Sequence, residues 1–212
     1  MDDLRTAALA RAAGVAQRSH RPQQRQAADG GGRVAFRAAL SLDDTDGLRF
    51  RGYATVYEAR YEMADFWGPY SEVVSAGAAA DTLNRGDLDV PFVLGHDQLR
   101  RIARTTNGTL TLAEDETGLL VEATLDPADA DVAYIAPKLR AGLIDEMSFA
   151  FRITAGLWSP DYSEYRIDRF DLHRGDVAIV GFGANPATAG SGLRTAPDLE
   201  HLRARLLLAS AL

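Results

Sequence analysis

Two side chains suited to acyl transfer lie beside or inside apolar runs. His96 follows the run at residues 90–94 and a glycine, and Ser148 lies within the run at residues 147–151. A histidine that accepts a proton and a serine that attacks are the minimum for acyl transfer. Each also has an ordinary structural explanation, because a strand-end histidine or a serine bonded to backbone is common. The residues alone therefore leave both interpretations open.

Such a histidine needs a carboxylate to orient it, and Asp176 is one of three acidic residues to consider. Asp145 and Glu146 lie three and two residues before the serine. Asp176 opens the apolar run at residues 177–180 and so is predicted at a strand end. The carboxylate must lie within hydrogen-bond reach of the second ring nitrogen, which spacing does not establish. The order His, Ser, Asp differs from the three common triad orders, and the chain has no Gly-x-Ser-x-Gly elbow.

Composition excludes several other classes of function. The chain has 212 residues, 46% of them hydrophobic, a net charge of −7 and no cysteine. The absence of cysteine excludes disulfides and thiolate chemistry. The acidic balance argues against nucleic-acid binding, and no run approaches the roughly 20 apolar residues of a membrane span. His96 and Asp97 offer two adjacent ligand types, but no second histidine is spaced to complete a metal site, so neither metal nor cofactor is predicted.

Period-two alternation dominates the middle of the chain and predicts strands. Residues 34–41 and 48–57 form a predicted hairpin, and residues 101–106, 109–114 and 119–126 a predicted meander. Further strands are predicted at residues 89–94, 147–154, 165–172 and 177–182. Residues 128–141 form the best helix, with an apolar face at Val132, Ile135, Ala136 and Leu139. Many short strands and few helices predict a β-rich α+β domain, closed or nearly closed as a barrel.

Changes in composition predict three segments. Residues 1–32 form an N-terminal arm, with a short alanine-rich helix over residues 2–18 and then a glutamine- and glycine-rich linker. Residues 33–192 form the main domain. Residues 193–212 form a C-terminal amphipathic helix with leucines at helical spacing.

Seven short segments resemble, in order, the motifs of the prohead maturation proteases of tailed bacteriophages with HK97-type capsids. Each segment is unremarkable by itself, whereas the ordered set, over roughly residues 48–190, is specific. The segments are residues 50–57 (FRGYATVY), 72–78 (EVVSAGA), 94–97 (LGHD), 114–119 (EDETGL), 139–142 (LRAG), 146–151 (EMSFAF) and 176–187 (DVAIVGFGANPA).

The resemblance implies a serine endopeptidase related in fold to herpesvirus assemblins, an antiparallel β-barrel flanked by helices. It places the family's histidine on His96, its nucleophile on Ser148 and its acid on Asp176. The family usually has Glu at the acid position, Ser where this chain has Ala178 and Pro where it has Gly183. The third catalytic member is therefore where this chain departs from the family.

Two further points concern the predicted site. His173 is the alternative third member, since assemblins use a second histidine, although Asp176 is favoured. The tetrahedral oxyanion of acyl transfer needs donors near Ser148, from the backbone or from an arginine that holds a water. Arg166 and Arg169 lie on a neighbouring predicted strand and are candidates for that arginine, although a solvated strand face explains them equally well.

The resemblance also implies partners and a place of action. Such proteases lie inside the immature capsid, or prohead, in the host bacterial cytoplasm, cleave the scaffolding segment of the major capsid protein and then cleave themselves. The implied partners are that capsid protein and a second copy of the chain, as substrate or homodimer, with no nucleic acid, membrane or cofactor. The alternative is a weakly active or inactive relative that acts in capsid assembly or as a scaffold. Retention of both His96 and Ser148 favours the enzyme.

Overall fold

Two β-sheets and three α-helices make up the part of the chain that the computed structural model describes, residues 2–14, 22, 26–27, 41–43, 47–184 and 192–193. The helices are α1 (Asp2–Gly14), α2 (Ala80–Leu83) and α3 (Ala130–Arg140). The strands are β1 (Gln26–Ala27), β2 (Ser41–Asp43), β3 (Gly47–Val56), β4 (Tyr61–Asp65), β5 (Gly68–Val74), β6 (Pro91–Leu94), β7 (Asp97–Arg104), β8 (Leu110–Glu114), β9 (Gly118–Leu125), β10 (Glu146–Trp158), β11 (Glu164–Val180) and β12 (Gly192–Leu193). A 3₁₀ turn spans Thr105–Asn107.

The larger sheet has seven strands in the order β1-β4-β5-β11-β6-β7, with β10 also paired to β11. The smaller sheet has five strands in the order β12-β3-β9-β8, with β2 paired to β3. The β-rich α+β class is thus confirmed. The predicted closed barrel is not found among the described strands, because they divide between two sheets instead of closing one.

The predicted meander is wrong at its first junction. β7 pairs with β6 in the larger sheet, whereas β8 pairs with β9 in the smaller one. The 3₁₀ turn joins them, and it ends at Gly108 with φ of 75°, a conformation that glycine adopts without strain. The Asn-Gly pair therefore marks a crossing between sheets instead of a two-residue hairpin. The β8–β9 hairpin agrees with the sequence pattern. β2 pairs with β3 at residues 41–43, of which the predicted strand included only Ser41, and the rest of that predicted strand lies outside the described residues.

β11 is one long strand where the sequence pattern predicts two. Its first half pairs in parallel with β5 and its second half with β6, while β10 runs antiparallel along it. An irregularity at Arg174 and Gly175 separates the halves, and a Cβ on Gly175 would lie 1.8 Å from the carbonyl oxygen of Ala150. Asp176 is therefore paired inside a continuous strand, opposite Ala150, and not at a strand start.

α3 forms as the sequence predicts. Asp129 caps its N-terminus by accepting from the backbone N–H groups of Asp131 and Val132, and Gly142, with φ of 64°, follows its end. Its predicted apolar face is buried in the main core: Val132, Ile135, Ala136 and Leu139. No helix among the described residues has the length and apolar character to cross a bilayer.

The N-terminal helix α1 packs on β5 through a buried arginine. The side chain of Arg11 has no exposed surface and forms a bidentate pair with Asp65, at 2.8 and 3.1 Å. Its guanidinium also lies 4.9 and 5.0 Å from the ring centroids of Tyr70 and Trp158. The helical spacing of alanines predicts this helix, but not that an arginine would be its anchor.

The boundary predicted near residue 33 and the predicted C-terminal helix lie outside the described residues, apart from Leu193 in β12.

Replacing Arg11 by methionine is expected to lower the free energy of unfolding by about 3 kcal/mol, because Asp65 would remain buried without its partner. Urea denaturation measures the change. Arg5→Met, on the exposed side of the same helix, is the matched control and should stay within about 0.5 kcal/mol of the wild type. Adding Asp65→Asn to Arg11→Met should recover part of the loss; an unchanged stability of Arg11→Met would contradict this account.

A carboxylate in the β8–β9 turn joins two of the sequence motifs. Asp115 accepts from the Tyr53 hydroxyl at 2.7 Å and from the backbone N–H groups of Thr117 and Gly118 at 2.8 and 3.1 Å. Burial raises the pKa of Asp115, but these three hydrogen bonds outweigh burial and hold the pKa below its usual value. The motif at residues 114–119 thus forms a turn that contacts β3 through Tyr53.

This depressed pKa predicts a pH-dependent contribution to stability. At pH values above about 3.9, the pKa of an aspartate in the unfolded chain, such a carboxylate stabilises the fold. This stabilisation is lost as the pH falls from that value through the lower pKa of the folded state. Asp115→Asn should therefore cost about 1 kcal/mol near neutral pH and progressively less below pH of about 4. Urea unfolding at several pH values tests this, with Glu116→Gln in the same turn as control; parallel curves for Asp115→Asn and wild type would contradict it.

Candidate active site

His96 lies at the tip of the β6–β7 hairpin. Leu94 pairs with Asp97, and the two residues between them, Gly95 and His96, have φ of 60° and 61°. Positive φ at both central positions is the pattern of a type I′ turn, whose twist matches that of the flanking strands. Glycine adopts this conformation freely, and histidine is among the few other residues enriched there. The turn holds the ring at the edge of the sheet with 38% of its side chain exposed.

Asp176 lies directly against the imidazole. Its Oδ1 is 2.7 Å from His96 Nδ1, and its Oδ2 accepts from Gln98 Nε2 at 2.6 Å. The Asp176 side chain is only 3% exposed, so both of its oxygens are used within the protein. An ionised carboxylate can only accept, and Nδ1 then carries the proton. That tautomer leaves the Nε2 lone pair available as a base.

Ser148 lies on the same face of the same sheet. It pairs with Ala178 on β11, and Ala178 pairs with Val93 on β6, so the three side chains share one face. Val93, Ala178 and Val180 form a small buried cluster separate from the main core. Ser148 is half-buried beside this cluster. Among the described residues the hydrogen bonds join His96 to Asp176 but not His96 to Ser148, and such catalytic contacts are often long in a free enzyme.

The three acidic residues near Ser148 in sequence or space have different surroundings. Asp145 is exposed, whereas Glu146 is 3% exposed and accepts from the backbone N–H of Gly183 at 2.7 Å. Asp176 alone of the three contacts His96. This hydrogen bond from Gly183 to Glu146 links the segment after β11 to the start of β10, two residues before Ser148.

The other candidates lie apart from this pair. His173 Nδ1 accepts from the backbone N–H of Asp89 at 3.3 Å, on the far side of the β11 irregularity from Asp176. Arg166 and Arg169 face the opposite end of β10, in register with Leu157 and Ala155. They pair with Glu58 at 2.7 Å and with Asp81 at 3.3 Å. The structure therefore brings neither arginine to Ser148.

Sequence reasoning missed Gln98, the second residue bound to Asp176. The two positions are 78 apart in the chain, and only the pairing of β6 with both β7 and β11 brings them together. No spacing rule would have found this contact. Within the described residues, no group of three or more His, Asp or Glu side chains is placed to hold a metal ion.

The arrangement can therefore support a proton relay at one sheet face. A buried carboxylate orients an exposed imidazole, and a serine lies on the adjacent strand pair of the same face. In a comparison with protein families, a family model described as caudovirus prohead serine protease matches residues 37–201. Neither the curated proteins nor the solved structures contain a match to the chain.

Proposed function

Because the chain belongs to the caudovirus prohead serine protease family, we propose that it is a serine endopeptidase that cleaves the scaffolding segment of the major capsid protein, and then itself, during prohead maturation. His96 is the proposed base, Ser148 the nucleophile and Asp176 the third member. The observation that carries this assignment is the 2.7 Å contact between His96 Nδ1 and a buried Asp176 oxygen, on the sheet face that presents Ser148.

The proposed reaction begins with proton transfer from Ser148 to His96. Nε2 takes the hydroxyl proton while Oγ attacks the scissile carbonyl carbon, which gives a tetrahedral intermediate with a negative oxygen. Asp176 stabilises the imidazolium through Nδ1. His96 then donates its proton to the leaving amine as the C–N bond breaks, and an acyl-enzyme remains on Ser148. A water that loses its proton to His96 attacks the ester carbonyl carbon. His96 returns that proton to Ser148 Oγ as the ester C–O bond breaks, which releases the acid product and restores the serine.

The shorter acid is compatible with this role. Asp176 stands where the family usually has Glu, yet its Oδ1 reaches Nδ1 at normal hydrogen-bond distance. Gln98 donates to the second oxygen and limits rotation of the carboxylate. His173, engaged with the backbone of Asp89, has no contact with His96 among the described hydrogen bonds, which favours Asp176.

Two measurements test the proposal. The first is co-expression of the chain with its cognate major capsid protein, followed by intact mass of both proteins; we expect a shortened capsid protein and a shortened protease. The second is reaction of the purified chain with a fluorophosphonate, which labels activated serines, and we expect the label on the peptide that contains Ser148. A capsid protein of full length together with an unlabelled Ser148 would overturn the proposal.

A further inference from the structure

A basic cleft opens beside the Gln98–Asp176 contact. Its volume is about 280 Å³, and it is lined by Asp89, Pro91, Gln98, Arg101, Arg104, Arg174 and Gly175. Three arginines thus line one cleft in a chain whose net charge is −7. Such a local concentration of positive charge attracts anions that the chain as a whole repels.

The three arginines share a single carboxylate in the lining, Asp89, so the lining carries net positive charge. Arg104 forms a bidentate pair with Asp89, at 2.7 Å for each hydrogen bond. The Arg104 hydrogen bond lowers the pKa of Asp89, so this pair stays ionised and neutral overall. Arg101 donates only to Gln98, and neither Arg101 nor Arg174 forms an ion pair with any described residue. Both side chains are exposed to the cleft and to solvent.

The backbone at Arg174 is held in a left-handed conformation that favours glycine. Its φ is 60°, while its N–H donates to the carbonyl of Asp89 at 2.9 Å. A non-glycine residue at positive φ costs free energy, and such residues concentrate at functional sites. Glycine stands next in the chain at position 175, where the close approach to Ala150 requires it. A glycine at position 174 would adopt this φ without strain, so the presence of an arginine there is consistent with a use for its guanidinium.

The cleft lies on the face of the sheet that carries Ser148. Arg101 pairs with Val93, Val93 with Ala178, and Ala178 with Ser148, so one row crosses β7, β6, β11 and β10. At about 4.8 Å between strands, Arg101 and Ser148 are about 14 Å apart along this row. An extended peptide advances about 3.3 Å per residue. If the scissile bond of a bound peptide lies at Ser148, the side chain about four residues from that bond lies at the cleft.

We propose that this cleft binds the carboxylate of an acidic side chain in the peptide substrate, about four residues from the scissile bond. Guanidinium groups suit carboxylates because they present paired N–H donors at matching spacing. The inference rests on the proposed endopeptidase function, since it assigns the cleft to that enzyme's substrate.

Peptide binding to full-length Ser148→Ala protein tests the cleft without any need for cleavage. The probe is a fluorescein-labelled oligoglutamate with an amidated C-terminus, followed by fluorescence anisotropy at low ionic strength. Arg174→Asn suits the positive φ, and together with Arg101→Gln it should weaken binding about tenfold or more. Arg100→Gln is the matched control: it lies on the same strand but pairs with Asp131, away from the cleft, and should retain binding.

Competitors identify which anion the cleft prefers. An oligoglutamine with a free C-terminal carboxylate and inorganic phosphate should each compete less well than oligoglutamate. Equal binding of oligoglutamate by all variants, or stronger arginine-dependent binding of phosphate or of a single-stranded oligonucleotide, would overturn the assignment. Arginine-dependent oligoglutamate binding in a chain that trims no capsid protein would instead support the cleft while the endopeptidase proposal fails.

Discussion

Replacing Ser148 by alanine is expected to lower the rate of capsid-protein trimming by about 10³- to 10⁶-fold. Without the hydroxyl no acyl-enzyme can form, and only substrate binding and any oxyanion donors remain to promote direct attack by water. The fold should be unaffected, because alanine suits a half-buried strand position that already faces Ala178. Time courses with purified capsid protein, read by intact mass, measure the effect.

A second serine provides the control for that experiment. Ser71 is half-buried on β5 and donates to Glu62, in another part of the same sheet. Ser71→Ala should trim capsid protein at the wild-type rate. Equal trimming by Ser148→Ala and wild type would remove Ser148 from the mechanism. If neither protein trims the capsid protein and both support prohead assembly, the chain acts in assembly and not as a protease.

Asp176→Asn is expected to lower kcat about 10⁴-fold with little change in KM, a size typical when an amide replaces the carboxylate behind a catalytic histidine. The amide can donate to Nδ1, which stabilises the tautomer with its proton on Nε2, and that nitrogen then cannot accept from Ser148. It also removes the negative charge that stabilises the imidazolium. Steady-state kinetics on a peptide from the capsid cleavage site separates kcat from KM.

The matched control for this change is Asp168→Asn on the same strand. Asp168 accepts from the Ser75 hydroxyl at 2.9 Å, close to Arg166 and away from His96. Its substitution should leave kcat close to that of wild type, because Asp168 contacts neither His96 nor Ser148. If Asp176→Asn keeps wild-type kcat while His173→Asn loses activity, the third member is His173 and the assignment made from the hydrogen bond is wrong.

Local patterns in the sequence predicted the elements on which the site is built. The apolar run at residues 90–94 forms β6, the run around Ser148 lies in β10, and the face Val132, Ile135, Ala136 and Leu139 is buried as expected. These predictions hold because alternation and helical spacing reflect which side of a single element meets the core. They do not depend on which elements pair.

Predictions that required knowledge of pairing were less accurate. The barrel was expected from the number of strands. Instead, β11 pairs with β5 along one half and with β6 along the other, and the described strands form two sheets. Likewise Asn107-Gly108 has the composition of a hairpin, yet it joins strands of different sheets. Turn composition describes local backbone conformation and does not select the partner strand.

The sequence by itself determined the chemistry: one histidine at a strand end, one serine in an apolar strand and a limited set of acids, in an order that resembles one protease family. Only the tertiary structure decided which acid meets His96, because contacts between residues 80 apart depend on the register of three strands. It also revealed Gln98 behind Asp176 and the arginine cleft in the same row as Ser148. The physical reason is that side-chain types are set residue by residue, whereas a shared sheet face is set by strand pairing, and a one-residue shift of register would turn Ser148 to the other face.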